Sequence, residues 1–358
     1  MTINVTKTFL PPLEEYLRYL EGIWARGQVT NHGPLVLELE QRLQEMLQAK
    51  HVIAVTNGTI ALQIAIKALG IGGAVITTPF SYVATASSAA WEGCRVVFAD
   101  IEPDTLCIDP RAIEAAITAD TKAIIATHVY GNPCDVARIR AIAEARGLGV
   151  IYDAAHAFGV RYQGRSLAAF GDIATLSFHA TKLFHSVEGG ALVTDDDQLA
   201  HRIRYMRNFG HRGQEAYWGL GINGKLSELH AAMGLAVLKH LPGLVASRRA
   251  VSEHYDRLLQ ALPVRKPRLR AGTDYNYAYY PLLLESEQVL LRVKQRLNAA
   301  DIFPRRYFYP SLNLLPCFAG ARCPVAEDAA KKVLCVPLFP GQTEAEVEAV
   351  VAGIREAI

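Results

Sequence analysis

The chain has 358 residues, enough for two domains or one large and one small domain at roughly 150 residues each. Hydrophobic residues make up 51%, charged residues 20%, and the net charge of +2 comes from scattered basic side chains, which excludes nucleic acid or an anionic membrane as a partner held by a basic patch. No apolar run reaches the roughly 18 residues that span a bilayer, the N-terminus lacks a signal-peptide layout, the six cysteines are spread out without CxxC, and the eleven histidines show no tight ligand spacing, so a cytoplasmic chain with reduced thiols and no metal site is expected.

In chain order, Pro12–Ala25 reads as a helix, and Leu35–Leu47 as a second with Leu35, Leu39, Leu43 and Leu47 on one stripe. From Val52 short apolar strands alternate with helices. Val52–Val55 is followed by Asn57-Gly58-Thr59 and a helix through Leu69. Val75–Thr77 is followed by Pro79-Phe80-Ser81-Tyr82 and a helix over Val83–Trp91. Strands at Val96–Ala99, Ala123–Thr127 and Val150–Tyr152 have helices between them at Pro110–Ile117 and Val136–Ala145. This rhythm predicts an α/β fold, a mostly parallel sheet covered by helices, with ligands at the carboxyl ends of the strands.

The stretch Asp172–Thr194 predicts strand, short loop, glycine turn and strand, with Lys182 in the loop and no Asp, Glu, Lys or Arg beside it from Ile173 to Val187. Desolvation lowers a lysine pKa and makes the amine a nucleophile toward carbonyls; a snorkelling lysine at a strand end is the plainer alternative. A helix over Gln198–Met206 precedes a glycine-rich loop, Arg207–Lys225. Helices at Leu226–Lys239 and Leu244–Leu262 follow. The basic, proline-containing run Pro263–Arg270 predicts a boundary between a large domain, residues 1–262, and a small C-terminal α+β domain, residues 263–358. The latter is read as a strand (Tyr277–Leu284), a helix (Gln288–Ala299), an irregular segment (Phe303–Pro324), a strand (Val333–Val336) and a last helix from Glu344.

Strand ends gather an anion cradle (Asn57, Gly58, Thr59), an aromatic ring (Tyr82), a carboxylate (Asp153), a hydroxyl (Ser177) and Lys182. Pyridoxal 5'-phosphate (PLP) needs all five: its phosphate suits a helix N-terminus, its aldehyde takes a lysine as a Schiff base, and its ring nitrogen takes an aspartate. Each residue also has a bland reading, a cap for Asp153, core packing for Tyr82 and a satisfied histidine for His156.

The segments Asn57–Leu62, Thr85-Ala86, Asp153–Ala157, Ser177–Lys182 and Glu188-Gly189-Gly190 resemble the DegT/StrS-type sugar-nucleotide aminotransferases. That resemblance implies a fold type I PLP-dependent transferase, homodimeric with shared active sites. It implies Lys182 as the catalytic lysine, Asp153 at the ring nitrogen, Tyr82 on the ring, His156 near the 3-hydroxyl, and Gly58, Thr59 and Ser177 on the phosphate. Asn223 would reach the phosphate of the other subunit. Around the lysine the usual threonine- and glycine-rich turn is replaced by Leu183–Val187. With Arg305–Pro310 this resembles the transaminases that make TDP-4-amino-4,6-dideoxyglucose. His185, Arg305, Arg306 and Tyr307 are the substrate-binding candidates that follow. The implied substrates are a nucleotide sugar and glutamate, and the implied setting is deoxyamino-sugar and O-antigen biosynthesis. A 3-keto sugar aminotransferase, a dehydratase and a non-catalytic regulator are the alternatives. The family's dehydratases replace the lysine with histidine, so Lys182 argues against the second.

Overall fold

Seven apolar runs, each ended by glycine, proline or a polar turn residue, build the central sheet of the computed structural model, which describes residues 2–318 and 320–358. The strands are β1 (His51–Val55), β2 (Ala74–Thr77), β3 (Arg95–Phe98), β4 (Thr121–Thr127), β5 (Gly149–Asp153), β6 (Ile173–Ser177) and β7 (Gly190–Thr194). Their order across the sheet is β1-β7-β6-β5-β4-β2-β3, with every pair parallel except those of β7, which runs antiparallel to both β1 and β6. Alternate side chains face opposite layers. In β1, Val52 and Ala54 join one core while Ile53 and Val55 join another; in β4, Ile124 and Ala126 part from Ala123 and Ile125 in the same way. Two buried faces explain why these strands read as continuous apolar runs.

The helices of this layer system are α1 (Leu13–Arg26), α2 (Pro34–Leu47), α3 (Gly58–Ala68), α4 (Ala84–Trp91), α5 (Pro110–Ala116), α6 (Val136–Arg146), α7 (Asp197–Met206) and α8 (Glu228–Leu238). The leucine stripe of α2 packs on β1 and α8, and α3 covers β6 and β7. The α2 N-terminus is capped from a distance. Its N-cap, Gly33, has no side chain, and the buried Glu228 carboxylate accepts the Leu35 and Val36 N–H groups at 3.0 and 2.9 Å.

A further core gathers α9 (Leu241–Leu259), the pair β8 (Pro281–Leu283) and β9 (Val333–Cys335), α10 (Glu287–Asn298) and α12 (Glu344–Ala357), with α11 (Pro324–Lys332) beside them. It takes in Ile3 and also Val251, Tyr255 and Leu259, residues well ahead of Pro263. The strand expected over Tyr277–Leu284 shortens to Pro281–Leu283. Tyr277 has a φ of 52°, and the Asn276 amide donates to the His156 and Phe158 carbonyls, both at 3.0 Å, which holds this stretch against the large sheet instead. The helix expected from Leu244 starts at Leu241 because Pro242 fits its first turn. The loop after α7 carries a short hairpin pairing His211–Arg212 with Ala216–Tyr217. The irregular segment Phe303–Pro324 contains a short 3-10 turn, Leu312–Leu314, and one of its residues lies outside those described. Among the described residues no single helix is long and apolar enough to cross a membrane.

Candidate active site

The site lies where the parallel strands end. After β1 the chain turns at Asn57, whose side-chain oxygen accepts the Ile60 N–H at 2.8 Å and caps α3. The first N–H groups of α3, on Gly58 and Thr59, precede that cap and have no helical acceptor. With the helix dipole they favour an anion. Ser177, the last residue of β6, faces them: a Cβ on Gly58 would stand 3.0 Å from the Ser177 Cβ. A Cβ on Gly190, at the start of β7, would stand 2.6 Å from the Asn57 carbonyl carbon, so only glycine admits this close approach.

Asp153 ends β5 and is buried. Its Oδ2 accepts from the Thr85 hydroxyl at 2.7 Å and its Oδ1 from the Ala155 N–H at 3.1 Å. Burial raises its pKa; the Thr85 and Ala155 hydrogen bonds and the Lys182 charge oppose that. Lys182 sits in the loop between β6 and β7, and its Nζ donates to the Tyr279 hydroxyl at 3.3 Å. Burial lowers its pKa, against the pull of Asp153, Tyr307 and Tyr82. The two shifts act together: dry surroundings disfavour both charges and their mutual attraction restores part of each. His156 is buried, and its Nδ1 accepts the Tyr130 N–H at 3.2 Å, which leaves the ring proton on Nε2. Burial first and the Lys182 charge second hold its pKa well below the usual histidine value, so it stays a neutral donor. Its ring stacks on Phe308 at 5.5 Å and meets Tyr279 edge-on at 4.9 Å.

One cavity of about 360 Å³ is lined by Gly58, Thr59, Tyr82, Asp153, His156, Ser177, Lys182, Arg305 and Tyr307 among others. With Asn57, which also lines it, the cavity brings together ten of the thirteen residues singled out in the sequence. Tyr82 presents an exposed ring to it, and Arg305 stands at its edge with the guanidinium 5.4 Å from the Tyr307 ring. Two substrate-binding candidates lie outside this cavity. His185 is buried away from the cavity, its Nε2 at 2.7 Å from the Phe9 carbonyl and its Nδ1 accepting the Val187 N–H, so both ring nitrogens are used within the fold. Arg306 turns the other way, donating to Glu287 at 2.6 Å and lying 3.4 Å over the Tyr309 ring. Asn223 lies outside the cavity on an exposed loop, where its Oδ1 accepts from Lys225 Nζ at 2.7 Å.

Sequence reasoning missed Tyr279 and Thr85 as site residues. Tyr279 lies 97 residues beyond Lys182, and the available signal was the density of tyrosines from Tyr275 to Tyr280. Thr85 stood within a quoted motif, yet only the fold reveals its contact with Asp153.

The pattern of the DegT/DnrJ/EryC1/StrS aminotransferase family matches residues 13–355. The dTDP-4-amino-4,6-dideoxy-D-glucose transaminase of Shigella dysenteriae is 43% identical, the match covering 99% of this chain and 98% of that protein. The transaminase of the same name from Escherichia coli is 39% identical, over 96% and 95%. The crystal structure of DesI in the presence of its TDP-sugar product superimposes with a TM-score of 0.93 at 32% identity, covering 99% of this chain and 92% of that one. The match over nearly the whole chain, on a fold that closes one cavity around Lys182 and Asp153, makes this protein a member of the DegT/DnrJ/EryC1/StrS aminotransferase family.

Proposed function

We propose that this aminotransferase uses pyridoxal 5'-phosphate to move the amino group of glutamate to C-4 of TDP-4-keto-6-deoxyglucose, giving the 4-amino-4,6-dideoxy sugar. The observation that carries the reading is the convergence of a desolvated lysine and a buried carboxylate on one cavity beside a helix N-terminus. The residues fit the cofactor. Gly58 opens a cradle that a Cβ would fill, with the N–H groups of Gly58 and Thr59 and the Ser177 hydroxyl as donors for a phosphate. Asp153 suits a protonated ring nitrogen, Tyr82 offers a ring face, and His156 presents an Nε2–H to a phenolic oxygen. When bound, the cofactor supplies an aldehyde for amines and a ring that accepts electrons from the adjacent carbon.

The chain's own part is to position these groups and to move one proton. Burial makes the Lys182 amine easier to deprotonate, which suits it as a nucleophile and then as the base and acid that carries a proton between two carbons of the reacting system. Burial raises the Asp153 pKa, and Thr85, Ala155 and Lys182 oppose that rise and favour its charged form. Arg305 and Tyr307 at the cavity edge suit the diphosphate of a nucleotide sugar. The names of the two relatives support the 4-amino product and the dTDP carrier. Asn223, exposed and outside its own cavity, supports a homodimer in which it reaches the partner's phosphate cradle. Six free cysteines and a nucleotide-sugar substrate fit the cytoplasm, with residues 1–262 and 263–358 as the large and small domains.

The test is product analysis after incubation with glutamate and TDP-4-keto-6-deoxyglucose, run beside the 3-keto isomer. Formation of the 4-amino sugar from the first is expected. Amination of the 3-keto isomer alone would overturn the C-4 assignment.

A further inference from the structure

Behind Asp153 the structure holds a chain of three buried hydroxyls, of which the reaction as described uses only Thr85. Thr127 Oγ1 donates to Ser81 Oγ at 3.0 Å, Ser81 Oγ lies 2.8 Å from Thr85 Oγ1, and Thr85 Oγ1 donates to Asp153 Oδ2 at 2.7 Å. Ser81 and Thr127 are each 1% exposed and Thr85 0%, so each link is made between buried side chains. Thr127 ends β4 and pairs in register with Asp153 at the end of β5. The chain therefore leaves one strand end, crosses the turn after β2 and the first turn of α4, and returns to the neighbouring strand end.

We propose that Thr127, Ser81 and Thr85 form a one-directional hydrogen-bond relay that holds Asp153 as an oriented carboxylate, which makes Ser81 and Thr127 positioning residues for the transamination site. This rests on the reading in which Asp153 meets the ring nitrogen of the cofactor. The direction follows from proton counting. A hydroxyl has one proton to give. An ionised Asp153 only accepts, so Thr85 spends its proton there. Its oxygen must then accept from Ser81, and Ser81 must accept from Thr127. Each link polarises the next in a dry setting, and a hydrogen bond to a charged group is roughly twice as strong as a neutral one.

Protonating Asp153 on Oδ2 would set two donors against each other unless all three hydroxyls turned round together. The relay thus opposes the pull of burial, which favours the neutral acid. The groups that face Asp153 are Thr85 from α4, the Ala155 N–H from the following turn, Lys182 from the β6–β7 loop, the Tyr279 phenol and the neutral His156. Of these only Lys182 brings a charge, and it lies on the cavity side. The hydroxyls supply the stabilisation from neutral, buried side chains.

The experiment compares holoenzyme variants Ser81→Ala, Thr127→Val, Thr85→Val and Thr85→Ser in single turnover with glutamate across pH. The affinity of each apoenzyme for PLP is measured by fluorescence titration. Thr85→Val is expected to move the acid limb of the rate up by about one pH unit and to slow the neutral-pH rate about tenfold. Ser81→Ala and Thr127→Val are expected to move the limb the same way by roughly a third to a half as much. PLP affinity is expected to fall in the same order, and Thr85→Ser to restore both. An acid limb at the wild-type position in Ser81→Ala and Thr127→Val, with only the melting temperature lowered, would overturn the relay. Asp153→Asn in the same assay separates the two ideas. If it is slow while the hydroxyl variants are normal, the relay alone fails; if it reacts at the wild-type rate, the reading of Asp153 fails.

Discussion

Lys182 and Asp153 occupy the same dry volume and each makes the other's charge tolerable. Replacing Lys182 with alanine removes the amine and the proton carrier but none of the phosphate cradle. PLP should still bind, without the visible band of a lysine-linked cofactor, and the single-turnover rate with glutamate should drop by at least ~10², the lower end of what general acid–base help contributes. Wild-type-like turnover would rule the assignment out. Asp153→Asn is nearly isosteric and keeps the fold, yet an amide does not favour a protonated ring nitrogen. Its half-reaction, followed in the visible spectrum, should slow more than about tenfold; a change within about threefold, under ~0.7 kcal/mol of barrier, would leave Asp153 as a strand-end cap. At this scale the sequence was legible wherever a residue sat at a strand end. His185 and Arg306 lie outside the cavity because nearness in sequence to Lys182 and Arg305 does not fix direction: one side chain turns to the Phe9 carbonyl and the other to Glu287.

The elements were legible because each obeys a local rule. All seven strands fall where an apolar run meets a turn residue, and the helix starts at Asn57, Asp109 and Ser286 carry side-chain caps. What escaped was information carried by distant residues. The α2 cap is an example, since Gly33 offers nothing and the acceptor is Glu228, 193 residues beyond Leu35. Two N–H groups share that buried carboxylate, and Arg26 lies 3.5 Å from it. Glu228→Ala should therefore cost roughly 3 kcal/mol, at about 1.5 kcal/mol for each hydrogen bond to a charged group. Denaturant unfolding measures this; a loss below about 1 kcal/mol would show that α2 is capped adequately by water. Near the proposed edge of the small unit, packing and composition do not change at the same residue. Composition changes at Pro263, but packing changes within α9, where Tyr255 and Leu259 already belong to the C-terminal core.

For the whole molecule the informative residue is Asn223. Its placement away from its own cavity predicts composite sites in a dimer. Mixed dimers of an Asn223→Ala chain and a Lys182→Ala chain should regain activity that neither variant has alone, because one of their two sites is intact. Different affinity tags on the two chains, purified in sequence, confirm the mixing, and no recovery in confirmed mixed dimers would mean that Asn223 acts within its own subunit.

The sheet order has a consequence for how the chain is made. Within the central sheet β1 pairs with β7, and 135 residues separate Val55 from its partner Gly190 (190 − 55); a single bridge from Val55 to Lys225 lies later still in the chain. At roughly 5–20 residues per second, a ribosome exposes β1 on the order of 10 s before that partner emerges. During that interval Val52–Val55 is an apolar strand without a neighbour, and the helix that carries the phosphate cradle has no β7 to rest on. The nascent chain is thus most vulnerable to misassociation in the middle of synthesis, and a translational pause before Gly190 would lengthen that exposure.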